Sequence, residues 1–393
     1  MKFGMGAYTM TLLLVVIYLS FISLGLPDSL LGAAWPSMHV SLGVPVSYAG
    51  IISFVISGGT VISSLSSMWL FKHLGTGKTI GYSTLLTAFS LLGFSLSPSF
   101  ILLLPLSITL GLGAGAIDSS LNNYVAVHYE ASHMSFLHAS WGLGASLGPF
   151  ILSVALVHGS WQNGYRSIAF IQAALTLMQF SSLKLWKRQE VDAQEERKER
   201  IVATKSDKTL YLAYGAFLFY CSYEACCILW ISTYFVKILE SNPIAAAKAT
   251  AFFFIGITSG RLLSGFISQR VGVVRMIYCG IIISFVFTVM MLFTKTPEVT
   301  LFMVFFNGLG LAPLYPSMIH RTPRRYGSNL SPLVIGRQMA TAYVGSSVVP
   351  PLMGLLAVHT SFKVLPLSGI IFLTLLLIST LIIENSKAEL LEI

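Results

Sequence analysis

Apolar residues in this chain fall in long unbroken runs, and polar residues gather in the short joints between them. A hydrocarbon core about 30 Å thick needs roughly 20 apolar helical residues to cross it. Twelve runs meet that length, at about 9–32, 46–71, 79–97, 100–123, 135–157, 166–186, 210–235, 246–268, 273–294, 299–320, 332–356 and 362–383. They are continuously apolar rather than alternating, which predicts helices and not the strands of a membrane barrel. Most joints carry Pro, Gly or Ser, as at Ser97-Pro98-Ser99. The stretch from Lys187 to Thr209 differs: it holds many of the chain's charges and reads as a solvated helix or linker between two halves. The expected fold class is an all-α membrane protein of twelve transmembrane helices. Its expected domains are a six-helix bundle over 1–186, a linker over 187–209 and a second six-helix bundle over 210–393.

Composition agrees with that pattern. Apolar residues make up 55% of the 393 residues and charged residues only 10%, where soluble proteins carry roughly 25% charged. A soluble body of this size would lack the charge to cover its surface, which excludes a cytosolic enzyme, a DNA-binding domain and a secreted disulfide scaffold. The net charge of +9 does not point to nucleic acid, because the basic residues are placed by membrane side. Of 24 Lys and Arg residues, 17 lie in loops or span ends on one side, so that side, with both termini, is expected to face the cytoplasm of a plasma membrane. The partners expected are therefore the lipid bilayer and a small solute, with no nucleic acid. Cys221, Cys226, Cys227 and Cys279 lie inside apolar runs without CxxC spacing and read as packing groups. No histidine cluster has metal-ligand spacing, and no cofactor or metal is expected. No short hydrophobic core followed by a small-residue cleavage site marks a signal peptide.

The two halves also align on themselves. Gly59–Lys78 lies over Gly256–Arg275 at an offset of 197, matching Gly75 with Gly272 and Lys78 with Arg275. The same offset lays Gly111-Leu112-Gly113 over Gly308-Leu309-Gly310. An offset of 201 lays Gly144 and Pro149 over Gly345 and Pro350, and at the offset of 197 Asp28 falls within one residue of Glu224. Four matches in consistent order imply two parallel repeats about an axis normal to the membrane. Such a repeat closes a cavity within one chain, so a monomer is expected.

Twelve spans in two repeats, with glycine- and basic-rich segments after spans two and eight, resemble the major facilitator superfamily along essentially the whole chain. The usual acidic position of that loop signature holds Lys72 in the first copy and Gln269 in the second, which departs from the family's charge latch. Three further segments resemble the fucose-permease-like branch of sugar–proton symporters and its relatives: GLPDSLLGAAWP (Gly25–Pro36), GLGAGAIDSSLNNY (Gly111–Tyr124) and LHASWGLGASLGP (Leu137–Pro149). The resemblance implies secondary active transport by alternating access. Its implied cargo is a sugar or sugar-like solute moving with a proton, sodium being the alternative ion. A proton-coupled antiporter exporting drugs or metabolites is the rival that uses the same acids.

An ionisable side chain at bilayer depth costs about 2.5–3.5 kcal/mol on insertion scales, so it calls for a partner, a wet cavity or a function. Only Asp28, Asp118 and Glu224, of fifteen acids, lie inside spans. They fall on spans one, four and seven, which with span ten line the central cavity in the resembled superfamily. Glu224 and Asp28 are the expected coupling carboxylates. Asp28 follows Pro27, whose missing N–H frees a backbone carbonyl toward a cavity; a helix-end carboxylate near the outer headgroups is its alternative reading. Asp118 and Asn122, one helical turn apart, offer paired donors and acceptors to solute hydroxyls, or Asp118 clamps His138. His138 and Trp141 share a face of span five, where an aromatic platform could stack on a sugar ring. Tyr220, Asn307, Tyr315 and Gln338 are further substrate candidates. Arg337 of span eleven is the expected cation for Glu224. Arg261, placed at the inner end of span eight, reads as a gate or headgroup contact, and both arginines are gating candidates.

Overall fold

The computed structural model describes residues 2–129, 131–157, 159–186, 208–326 and 331–386. They form fourteen α-helices, and the described residues contain no strand. The first half holds α1 (Lys2–Asp28), α2 (Leu30–Ser41), α3 (Tyr48–Leu74), α4 (Thr76–Leu96), α5 (Phe100–His128), α6 (Ala131–Val157) and α7 (Trp161–Ser181). The second holds α8 (Lys208–Ile238), α9 (Pro243–Val271), α10 (Val273–Met291), α11 (Pro297–Leu311), α12 (Leu314–Tyr326), α13 (Ser331–His359) and α14 (Val364–Asn385). Among the described residues, ten helical segments are long and apolar enough to cross a membrane. The shorter apolar stretch of α3 and the more polar α7 complete the twelve spans of the fold. Residues 187–207 of the expected linker lie outside the described residues, as do the side chains of Lys72 and Gln269.

Two of the twelve spans are broken rods. The first is α1 with α2, apolar from Leu12 to Ser41, so the expected boundary at 32 falls nine residues short. Pro27 cannot donate to the carbonyl of Ser23, one turn back. That carbonyl does not turn toward a cavity; it accepts a hydrogen bond from Gln172 Nε2 of α7 at 2.6 Å, and Gln172 Oε1 takes the Ser23 hydroxyl at 2.8 Å. The break is thus bound on one side, and Asp28 comes to lie midway along a thirty-residue span rather than at its outer end. The second broken rod is α11 with α12, interrupted at Ala312 and Pro313.

Each half pairs its helices the same way. The packed pairs α1–α6, α3–α5 and α4–α7 recur as α8–α13, α9–α11 and α10–α14. The glycines matched by sequence make the crossings. A Cβ on Gly59 would strike the Ile108 carbonyl, and one on Gly111 the carbonyl of Ile56. At the same offset of 197, Gly256 meets Phe305 and Gly308 meets Phe253. Gly144 lies on Ile22 of α1 as Gly345 lies on Leu218 of α8. Gly75 and Gly272 begin α4 and α10 at φ of 76° and 83°, a conformation that favours glycine. Without a hydrophobic drive between helices in lipid, close backbone approach through small residues supplies the packing.

The bundles meet toward the face that carries loop 42–47 and loop 239–242. There Ser232 of α8 donates to the Ala33 carbonyl of α2 at 3.3 Å, and Ser153 of α6 to Ile244 of α9 at 3.5 Å. Gly32 lies against the backbone of Ile228 and Leu229, and Gly50 against Pro351. This end is sealed, so the central cleft opens toward the opposite face, where α1 begins and α14 ends.

Alanine at Gly111 or Gly256 would drive a methyl into a backbone carbonyl that has no rotamer to change, whereas Gly58 has open space around it. In thermal unfolding of the detergent-solubilised protein, Gly111→Ala and Gly256→Ala should each lose about 1–3 kcal/mol. Gly58→Ala should hold or gain stability, because alanine is the better helix former by about 1 kcal/mol.

Candidate functional site

At mid-depth of the cleft a continuous set of contacts joins the two bundles. The break after α1 leaves Asp28 exposed to the cleft although protein surrounds the span on which it sits. Trp141 of α6 donates its indole N–H to Asp28 Oδ2 at 2.7 Å. Over the Trp141 ring, 5.1 Å from its centroid, lies the guanidinium of Arg261 from α9. Arg261 Nη2 stands 3.8 Å from Glu224 Oε1 of α8, and Tyr220, one turn earlier, donates its hydroxyl to the same oxygen at 2.8 Å. Phe254 packs edge-on against Trp141 at 5.6 Å. The first bundle therefore contributes a carboxylate and an indole, and the second an arginine, a carboxylate and a phenol.

The magnitudes say which of these contacts can yield. A desolvated cation–π contact contributes about 2 kcal/mol, whereas stranding one partner of a buried ion pair costs about 3–5 kcal/mol. The side chains of Arg261 and Glu224 are 20% and 17% exposed, and 3.8 Å is a loose separation for charge-assisted partners. The pair is wet enough to part, but Arg261 then needs another anion. Asp28 accepts the hydrogen bond of the indole on which that guanidinium lies.

Asp118 and Asn122 occupy the cleft wall on α5. Asn122 Nδ2 donates to Asp118 Oδ1 at 2.8 Å, and Asp118 stands within electrostatic range of Asp28 and, across the interface, of Tyr315 and Tyr343. His138 is exposed and edge-on to Phe21 at 5.7 Å, so the suggested clamp between Asp118 and His138 does not form. Tyr315, at the start of α12, points its hydroxyl at the sulfur of Met339 at 2.8 Å and lies 6.1 Å from the ring of Tyr220. Asp28, Asp118, His138, Trp141, Tyr220, Glu224 and Tyr315 thus share one region.

Four sequence expectations are corrected. Arg261 is no headgroup contact at an inner helix end: it lies ten residues before the end of α9 and is the cation beside Glu224. Arg337 is exposed on α13, and the cation beside Glu224 is Arg261, so the expected pair between Arg337 and Glu224 does not form. Asn307 is buried inside the second bundle, donating to Tyr223 at 2.6 Å and Thr288 at 2.8 Å and accepting from Ser284 at 3.1 Å, which leaves nothing for a solute. Gln338 is buried against Thr322 at 3.1 Å, in a separate chamber near the helix ends. Sequence reasoning missed Phe254 and Tyr343, whose apolar surroundings resemble those of many lipid-facing aromatics. Among the described residues, no cluster of His, Cys, Asp and Glu could hold a metal ion.

Comparison with known proteins gives this arrangement a family. The chain is 24% identical over 396 residues to Bypass of stop codon protein 6 of Saccharomyces cerevisiae, covering 88% of this chain and 77% of that one. It is 23% identical over 332 residues to the glucose/mannose transporter GlcP of Bacillus subtilis, covering 80% and 78%. The fold matches a mutant of the peptide transporter POT, with a TM-score of 0.77 at 14% identity over 94% of this chain and 93% of that one. It also matches a bacterial homologue of the human lysosomal transporter Spinster in an inward-facing, occupied conformation, with a TM-score of 0.72 at 10% identity over 95% and 96%. The Major Facilitator Superfamily model matches residues 17–247 and again 212–391. With twelve spans in two alike bundles around a polar cleft, the chain belongs to the Major Facilitator Superfamily and is a transporter, not an enzyme.

Proposed function

We propose that this transporter is a symporter of the plasma membrane that moves a sugar or sugar-like solute with a proton, as a monomer with both termini in the cytoplasm. One observation carries the reading: Asp28, Trp141, Arg261, Glu224 and Tyr220 form a single path across the bundle interface, at the depth where rocking must be coupled to binding. Two carboxylates compete there for one guanidinium. A proton on Glu224 removes its claim on Arg261 and turns the arginine toward Asp28, an exchange that alters the contact between the bundles. Sodium is the alternative ion, since the same carboxylates offer hard oxygen ligands.

The solute side of the reading rests on Asp118, Asn122, His138 and Trp141. A carboxylate and an amide in adjacent turns can take both hydrogens and lone pairs of a diol. The exposed imidazole and the indole provide a flat surface for C–H bonds. The glucose/mannose transporter among the relatives supports this cargo. Placing the termini inside follows the basic residues, and the sealed face is then the outer one, which makes the structure inward-open.

Adding the transported solute to lightly buffered, de-energised cells should make the medium more alkaline, as protons enter with it. A flat trace across sugars and polyols, repeated with labelled uptake in sodium, would remove the reading. Dye or drug export driven by a proton gradient would replace it with the antiporter. Asp118→Asn and Asn122→Ala should each raise KM about tenfold or more, the loss expected when a charge-assisted hydrogen bond of about 1.5–3 kcal/mol goes. Trp141→Phe keeps a ring for Arg261 but drops the hydrogen bond to Asp28, so its fall in uptake should be smaller than that of Trp141→Ala.

A further inference from the structure

The hydrogen bonds that consume Asn307 form a closed group behind the helix that carries Glu224. Its side chains are Tyr223 of α8, Ser284 and Thr288 of α10 and Asn307 of α11, all of them buried. The donors and acceptors fall into one order. Thr288 Oγ1 gives its proton to the Ser284 carbonyl at 2.7 Å, so toward its other neighbours it can only accept. It accepts from Asn307 Nδ2 and from the Tyr223 hydroxyl, both at 2.8 Å. Asn307 Nδ2 gives its second proton to the Tyr223 oxygen at 2.6 Å, and the Ser284 hydroxyl donates to Asn307 Oδ1 at 3.1 Å. Every polar hydrogen of these side chains is used, and a fully satisfied buried network fixes one arrangement.

The repeat gives this clasp a counterpart. At the offset of 197, Gly369 of α14 matches Gln172 of α7, the residue that holds the Ser23 carbonyl beside the break before Asp28. A Cβ on Gly369 would lie 2.3 Å from the Tyr223 ring, so the glycine makes room for that ring. In the first bundle α7 reaches in to the helix that bears the carboxylate. In the second, the carboxylate helix reaches out past a glycine to α10 and α11. Tyr223 directly precedes Glu224, and α8 runs unbroken from Lys208 to Ile238, so the clasp sets the rotation of the helix at Glu224. The tip of a helical side chain lies about 5–6 Å from the helix axis, so a turn of about 20° carries it about 2 Å. Glu224 already stands 3.8 Å from Arg261, and a turn of that size decides whether the two meet.

We propose that Tyr223 is a positioning residue for transport: its hydroxyl, clasped by Asn307 and Thr288, fixes the rotation of α8 and keeps Glu224 within reach of Arg261. The inference rests on the reading of Glu224 as the coupling carboxylate. Without the clasp, Glu224 leaves Arg261 before a proton arrives, and solute crosses without one.

Tyr223→Phe removes the hydroxyl and keeps the ring. In proteoliposomes, solute accumulation driven by an imposed pH gradient should fall about two- to tenfold, the factor carried by one hydrogen bond, while exchange at equilibrium falls less. Thr288→Val should act as Tyr223→Phe does, and Thr288→Ser, which keeps the hydroxyl, as the wild type; this pair decides if Tyr223→Phe does not fold. Combining Tyr223→Phe with Glu224→Gln separates positioning from a purely structural role. Its effect on exchange should vanish in that background, where no ion pair is left to place. Wild-type accumulation in folded Tyr223→Phe or Thr288→Val, or a fall in exchange by the same factor in both backgrounds, would overturn the inference and leave the coupling reading standing. Wild-type accumulation in Glu224→Gln alone would overturn the coupling reading and this inference with it.

Discussion

Everything at the centre of this protein depends on a shortage of positive charge. Asp28, Asp118 and Glu224 lie in one region, where Arg261 stands beside Glu224 and over the ring of Trp141. Three ionised carboxylates in a partly dehydrated space cannot all be satisfied by one guanidinium, so the site needs protons, a cation or hydroxyl-bearing solute groups to be stable. The surrounding geometry keeps the shortage in place. The indole of Trp141 supports Arg261 from one bundle and holds Asp28 through its N–H, while Tyr220 supplies a second hydrogen bond to Glu224 from the other. A contact made this way is strong enough to hold one state and loose enough to be exchanged.

The repeat explains how such an exchange can move large elements. Within each bundle, glycine crossings at Gly59, Gly111, Gly256 and Gly308 lock helices backbone to backbone, which makes each half a stiff body. Between the bundles run long hydroxyl-to-carbonyl hydrogen bonds from Ser232 and Ser153, glycine approaches at Gly32 and Gly50, and the packing of α6 on α9 that sets Trp141 on Phe254. Rigid halves favour rocking over local deformation. The break at Pro27 adds to this, because Gln172 ties the freed carbonyl of Ser23 to α7 and leaves the Asp28 side chain at the interface.

Much of this was legible in the sequence, for identifiable reasons. Continuous apolar runs report helices and their number, and glycines at a fixed offset report the repeat, because both are one-dimensional patterns. The three acids were legible because charge inside an apolar run is conspicuous. Depth and facing were not. Counting apolar residues ended the first span before Pro36 and His39, although both continue as helix, and so put Asp28 near the outer surface. Arg261 and Arg337 are both arginines in apolar helices; only packing shows that the first stands beside Glu224 and over the Trp141 ring of the other bundle, while the second is exposed on α13. Asn307 and Asn122 are likewise both amides within spans, yet Tyr223, Thr288 and Ser284 consume the first.

The central claim is that the exchange of Arg261 between Glu224 and Asp28 is what ties solute movement to the proton. The most direct measurement is a pair of assays on Glu224→Gln in proteoliposomes: solute exchange at equilibrium, and solute accumulation driven by an imposed pH gradient. Glutamine keeps the shape and a hydrogen-bond acceptor for Tyr220 but takes no proton. Exchange should persist while gradient-driven accumulation is lost. Accumulation at the wild-type level in Glu224→Gln would contradict it.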